Sequence, residues 1–168
     1  MIKILMFVLL LSSTPSYAQI YGLEELNDKA DKYVATADIQ EAMRRFVKED
    51  FIDCTKQKNL KGDEYSNYFS AIPIEINKHN QQSFLVFPSK YCYAFFGAHA
   101  IAYWIITKND QNQYKLLYEG RSDAVELLST FTKGMKDLRS IYNYSFIVLK
   151  FNGRKYKKVA DGEFQRDN

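Results

Sequence analysis

Apolar residues recur at Leu23, Leu26, Ala30, Tyr33 and Val34, with Glu24, Glu25, Asp28 and Asp31 on the intervening positions. That 3.6-residue period predicts an amphipathic helix. A second stripe, Ile39, Ala42, Met43, Phe46, Val47 and Phe51, predicts another helix ending near Cys54. Asp38 and Glu41 at its start match a capping box, where each side chain satisfies a backbone N–H that the first helical turn leaves unpaired. From 55 to 70 the period is lost among Lys, Gln, Asn, Gly62, Asp63 and Glu64, which predicts a loop; Tyr65, Tyr68 and Phe69 give that loop something to bury.

Two-residue alternation follows. Ile72, Ile74 and Ile76 alternate with Pro73 and Glu75, and the proline predicts an edge strand because it has no N–H for the ladder. Residues 83–87, 91–96 and 98–107 are almost continuously apolar, the last two separated by Gly97, as strands covered on both faces must be. Polar residues 108–113 lead into 114–118 and predict a hairpin. Residues 124–132 fit neither period, so helix and strand both stay open. Residues 133–139, with Gly134, predict a loop, and 140–151 alternate as one strand. Asn152-Gly153 predicts a tight turn, because both residues tolerate positive φ, with 154–159 as the returning strand. The fold class expected is α+β, an N-terminal helical layer packed on an antiparallel sheet of about five to seven strands.

The first residues change the picture of where this domain works. Lys3 precedes an eight-residue apolar run, 4–11, then Ser12, Ser13, Thr14 and Pro15, and Ser16 and Ala18 set small residues at the positions a signal peptidase reads. Residues 1–18 are therefore expected to be a cleaved signal peptide and 19–168 a single domain. Eight residues fall short of the roughly 20 that span a bilayer, and the run at 98–107 ends in Lys108, Asn109 and Asp110. The expected localisation is periplasmic in a Gram-negative bacterium, or secreted, with no membrane span after cleavage. Hydrophobic content of 46% with only 7 Gly and 3 Pro excludes a disordered or collagen-like chain. Cys54 and Cys92 form an even pair in an oxidising compartment, where a disulfide is expected and two buried thiols are the alternative.

Cys92 in an apolar run, Tyr103-Trp104-Ile105-Ile106, a polar turn, Tyr114-Lys115-Leu116-Leu117, Gly134-Met135-Lys136-Asp137-Leu138 and Phe151-Asn152-Gly153-Arg154-Lys155-Tyr156 follow one another over residues 72–158. This succession resembles a widespread group of small bacterial periplasmic α+β proteins. The resemblance implies binding rather than chemistry, since many of the group have no catalytic role. The group often carries an acidic loop where this chain has Asn77, Lys78, His79 and Asn80, which offer calcium no carboxylate. It also often has a second cysteine soon after the first; His99 lies in that region here, so a disulfide must use Cys54.

Candidate chemistry is sparse. Cys92 and His99 are the available nucleophile and base for a cysteine hydrolase, but an aromatic setting raises a thiol's pKa instead of activating it. Cys54, His79, Cys92 and His99 lack the short paired spacing of structural zinc sites. No nucleophile elbow, phosphate-binding loop or His-Glu-x-x-His occurs. Glu75, Asp110, Glu119, Asp123 and Glu126 are the acids available among the strands for a two-carboxylate hydrolase. No catalytic residue, metal site or cofactor is expected.

Charge is more informative. Residues 19–54 carry nine acids against five bases, whereas 133–158 carry eight bases against Asp137 alone. Lys133, Lys136, Arg139, Arg154, Lys155, Lys157 and Lys158 would form a patch that steers an acidic partner; as edge-strand lysines they would equally suit a solvated face that resists aggregation. Tyr142 and Tyr144 share the stretch and, if exposed, would add contact area. An exported protein rarely meets nucleic acid, so an acidic secreted toxin or envelope protein is the expected partner. The expectation is a non-enzymatic exported inhibitor or immunity protein that occludes a secreted antibacterial toxin. A cell-envelope hydrolase and a structural subunit of an envelope complex are the alternatives.

Overall fold

The computed structural model describes residues 18–58, 67–78, 81–89, 94–97 and 100–164. The expected leader, apart from Ala18, and Cys92, His79 and His99 lie outside the described residues. The elements are β1 (Gln19–Gly22), α1 (Leu23–Asp28), a 3-10 turn (Ala30–Lys32), α2 (Ala37–Phe46), α3 (Lys48–Lys58), β2 (Phe69–Pro73), β3 (Ser83–Pro88), β4 (Ile101–Lys108), β5 (Tyr114–Ser122), β6 (Ala124–Thr132), β7 (Met135–Tyr142), β8 (Ser145–Phe151) and β9 (Tyr156–Glu163).

The chain is α+β, with its strands in two antiparallel sheets and not one: β1-β6-β7-β8-β9 and β2-β3-β4-β5. Alternation along β4 explains the division. Tyr103 and Ile105 join a cluster with Leu85, Phe87 and Leu117 of their own sheet and Val125, Leu127, Leu138, Leu149 and Tyr156 of the other. Ala102, Trp104 and Ile106 point the opposite way, into a cluster shared with Ile39, Met43, Val47, Phe51 and Cys54 from the helices. A strand with a core on each side needs apolar residues at every position, which is why 101–107 has almost no polar member.

Several expectations need correction. A strand, β1, precedes the first helix, and that helix is one short turn-and-a-half followed by the 3-10 turn; its periodic Leu23 and Ala30 are nevertheless buried. The second helix is two helices that break at Val47, whose φ of −115° leaves the α region. No capping box forms, because Thr36 occupies the N-cap and Glu41 pairs with Arg44 at 3.7 Å. Residues 124–132 are strand. Within 133–139 only Lys133 and Gly134 are loop: both have positive φ (50° and 82°) and join β6 to β7 in a two-residue turn. Residues 140–151 are split by a turn at Asn143 (φ 49°), whose N–H donates to Asp123 at 2.6 Å. Asn152-Gly153 opens a four-residue loop in which Gly153 alone has positive φ (102°), and the Asn152 carboxamide accepts from the N–H groups of Arg154 and Lys155 at 2.8 and 2.9 Å. Residues 94–96, the described part of the strand expected over 91–96, form a turn with an isolated bridge from Phe96 to Ile101.

Asp38 does other work than capping. Its carboxylate accepts from the Thr36 hydroxyl, from the Ile39 N–H at 3.1 Å and from the Tyr114 hydroxyl at 2.9 Å, with Lys108 Nζ at 3.5 Å, so it ties α2 to the β4–β5 hairpin. The Thr36 hydrogen bond, helped by the others, holds its pKa down at about 2 against an ordinary 3.8. A depressed folded-state pKa means that the stabilisation is complete above the unfolded value and disappears as pH falls towards the folded one. Acid titration of stability should therefore show a loss between about pH 4 and pH 2 that Asp38→Asn flattens; an unchanged slope in that variant would remove Asp38 from the balance.

Candidate basic tip and its surroundings

Two turns at one end of the five-stranded sheet are fastened together. Lys133, between β6 and β7, donates from Nζ to the carbonyl of Asn152, in the β8–β9 loop, at 2.7 Å. The Asn152 carboxamide turns the backbone N–H groups of Arg154 and Lys155 inwards, and both side chains are exposed. Lys157 follows at the start of β9, the sheet's edge strand, and is also exposed. Lys133, Arg154, Lys155 and Lys157 thus form a cationic end whose turns are held by side-chain-to-backbone hydrogen bonds, a firmer platform than freely moving surface loops.

The remaining residues of the predicted patch go elsewhere. Arg139 lies mid-strand in β7, 3.0 Å from Glu126 and over the Phe146 ring at 4.9 Å, so its charge is largely neutralised. Lys158 pairs with Asp161 at 3.1 Å. Lys136 is half-buried, its N–H donating to Ile76 and its carbonyl accepting from the Tyr156 hydroxyl at 2.8 Å. Tyr142 and Tyr144, 41% and 57% exposed, sit at the β7–β8 turn, at the opposite end of β7. Nine residues of extended chain separate Tyr142 from Lys133, roughly 30 Å, so those tyrosines belong to a different surface.

Two further residues, Lys78 and Phe131, join the cationic end without any local pattern to mark them. The segment after β2 crosses to β7, with an isolated bridge from Asn77 to Met135 and the Lys78 N–H donating to Gly134 at 3.1 Å. Lys78 Nζ then stands 4.6 Å from the centre of the Phe131 ring, which is 40% exposed. This gives the tip an aromatic contact besides its charges. No local pattern marks Lys78, because its place depends on a long-range crossing.

At the other end of the strands, a cleft of about 420 Å³ is lined by Glu24, Asp28 and Asp123 with Asn27 and Asn143. The polarity seen along the sequence is thus also a polarity along the sheet. Among the described residues, no three His, Cys, Asp or Glu side chains converge as metal ligands, and no helix is long and apolar enough to cross a membrane. The Cys92–His99 pair lies outside the described residues. Cys54 is completely buried on α3. No protein-family model, curated protein or solved structure matches the chain.

Proposed function

We propose that this chain is an exported binding protein that acts without catalysis, as a periplasmic inhibitor or immunity protein whose cationic tip occludes an acidic surface of a secreted antibacterial toxin. The observation that carries the reading is the fastening of the two basic turns by the bond from Lys133 to Asn152, which presents Arg154 and Lys155 on a preorganised end. Preorganisation lowers the entropy lost on docking, and unpaired rim cations speed encounter with an acidic partner. In this reading the N-terminal helices form a layer over the four-stranded sheet, and a Cys54–Cys92 disulfide secures the fold outside the cytosol.

The test is capture from a periplasmic extract by the wild type and by the double variant Arg154→Glu, Lys155→Glu. Lys133 is left in place so that the turns stay fastened. The variant should lose about tenfold or more in affinity for the captured toxin, and more at low than at high salt, because exposed charges act mainly through steering. Recovery of the same partner in equal amount by both proteins would dismiss the tip as the contact surface.

A further inference from the structure

We infer that a groove beside the end of β2 and the start of β3 is a binding site for a neutral sugar bearing an acetamido group, an N-acetylhexosamine unit of a glycan. The groove holds about 510 Å³, within the size range of small-molecule sites, and its walls include Pro73, Glu75, Asn77, Gln81, Gln82 and Phe84. Pro73, Glu75, Gln81 and Gln82 are exposed, and Asn77 and Phe84 are half-buried. A ligand reaches these side chains from the surface without entering the core.

Three carboxamides and one carboxylate line the groove, with no lysine or arginine among the described lining residues. A carboxamide both donates and accepts and a carboxylate accepts, so the set matches hydroxyl and acetamido groups, which do both. An anion would find no cation there, and an organic cation would leave the carboxamides unused. The backbone behind these groups is fixed. The Asn77 carboxamide accepts from the Gln81 N–H at 2.9 Å and donates to the Gln81 carbonyl at 2.6 Å and the Ser83 hydroxyl at 3.2 Å. The Gln82 carbonyl accepts from the Lys108 N–H at 2.9 Å and the Thr107 hydroxyl at 3.2 Å. The Gln82 carboxamide and the Glu75 carboxylate make no hydrogen bond or salt bridge to the described residues, so held backbone presents open polar groups.

Pro73 and Phe84 supply the apolar part. They are cross-strand partners, and the Phe84 ring stands edge-on to Tyr114 at 6.2 Å. A flat apolar surface beside amides suits a pyranose, whose C–H face lies on the ring while its hydroxyls meet the polar row. The acetamido group adds a methyl for the apolar surface and an N–H and C=O that pair with a carboxamide as one amide with another. A peptide strand has no edge to join here. Pro73 lacks an N–H, and residues 33–35 already hold the outer edge of β2, with the Ala35 N–H donating to Phe69 and the Ala71 N–H to Tyr33. The inference does not rest on the toxin reading, which needs only the tip.

Di-N-acetylchitobiose is the probe, with cellobiose as the same disaccharide carrying hydroxyls in place of the acetamido groups, and the deacetylated dimer as its cationic form. Side-chain amide NMR should show saturable shifts of the Gln81 and Gln82 carboxamides with the probe and none with either control. Gln82→Ala should weaken binding about fivefold and Glu75→Ala about tenfold, while Gln111→Ala, an exposed carboxamide in the β4–β5 turn, leaves it within about twofold. Urea unfolding that matches the wild type shows that the groove variants lose the contact and not the fold. Absence of saturable shifts, equal binding of cellobiose, or shifts confined to carboxamides outside the groove would each overturn the site. The tip variant Arg154→Glu, Lys155→Glu should bind the disaccharide as the wild type does, so the sugar and toxin readings fail separately.

Discussion

Replacing Trp104 by alanine is expected to remove about 3–5 kcal/mol of stability, the range for truncating a fully buried aromatic. The indole lies mid-strand in β4 with no exposure, edge-on to Phe69 at 5.6 Å and to Phe95 at 5.3 Å, with interplanar angles of 87° and 89°. Such aromatic pairs contribute about 0.5–1.5 kcal/mol beyond their area. The same cluster includes Ile39 and Met43 of α2 and Phe51 and Cys54 of α3, so the cavity would open where helices and sheet meet. Ile105 points to the other cluster, and Ile105→Val, with one methylene fewer, should cost only about 0.5–1.5 kcal/mol. Urea unfolding measures both. A Trp104→Ala loss below about 1 kcal/mol would mean that this cluster can collapse onto the space, and that the helices are not held through it.

The two cores differ in how plainly the chain announced them. Residues 101–107 read correctly as a doubly covered strand because nearly every position is apolar, and the α2 stripe read correctly because its period is helical. β7 was hidden by Asp137. A carboxylate in a strand's buried positions breaks the alternation, and only the fold supplies partners for one of its oxygens: Thr130, from the irregular stretch of β6, donates to Oδ2 at 2.8 Å and Lys150 stands 3.7 Å from it. The narrowing of the expected 133–139 loop to a two-residue turn was hidden because a lysine gives no hint of positive φ, and the Asn143 turn because Tyr142 to Ser145 keep the alternation of a strand.

The basic stretch was legible as a composition, not as a surface. Counting charge along the chain treats Arg139 and Arg154 alike, yet one is matched by Glu126 across β6 and the other stands on a loop. Opposite neighbours across strands decide which lysines and arginines remain available to a partner, and register is a tertiary property. The tyrosines show the same limit of linear reading: eleven positions from Lys133 to Tyr144 are adjacent in a sequence window and lie at opposite ends of a sheet.

Breaking the proposed Cys54–Cys92 disulfide should cost about 3–4 kcal/mol, since the cross-link closes a loop of nearly forty residues in the unfolded chain. For a chain of this size that lowers the melting temperature by about 10 °C. Cys92→Ser and reduction of the wild type should give the same shift, because each removes the cross-link alone. Cys54→Ser should be worse: Cys54 is completely buried among Phe51, Tyr68, Phe69 and Phe95, so the new hydroxyl also meets an apolar core. Binding through the tip should survive below the new melting temperature, since Met135, Leu138, Leu149 and Tyr156, which support it, belong to the other cluster. Non-reducing peptide mapping of protein from the periplasm should find the two cysteines joined and the chain beginning at Gln19. Two free thiols on a chain that retains residues 1–18 would end both the disulfide and the exported reading, and equal melting of wild type and Cys92→Ser under oxidising conditions would end the first alone.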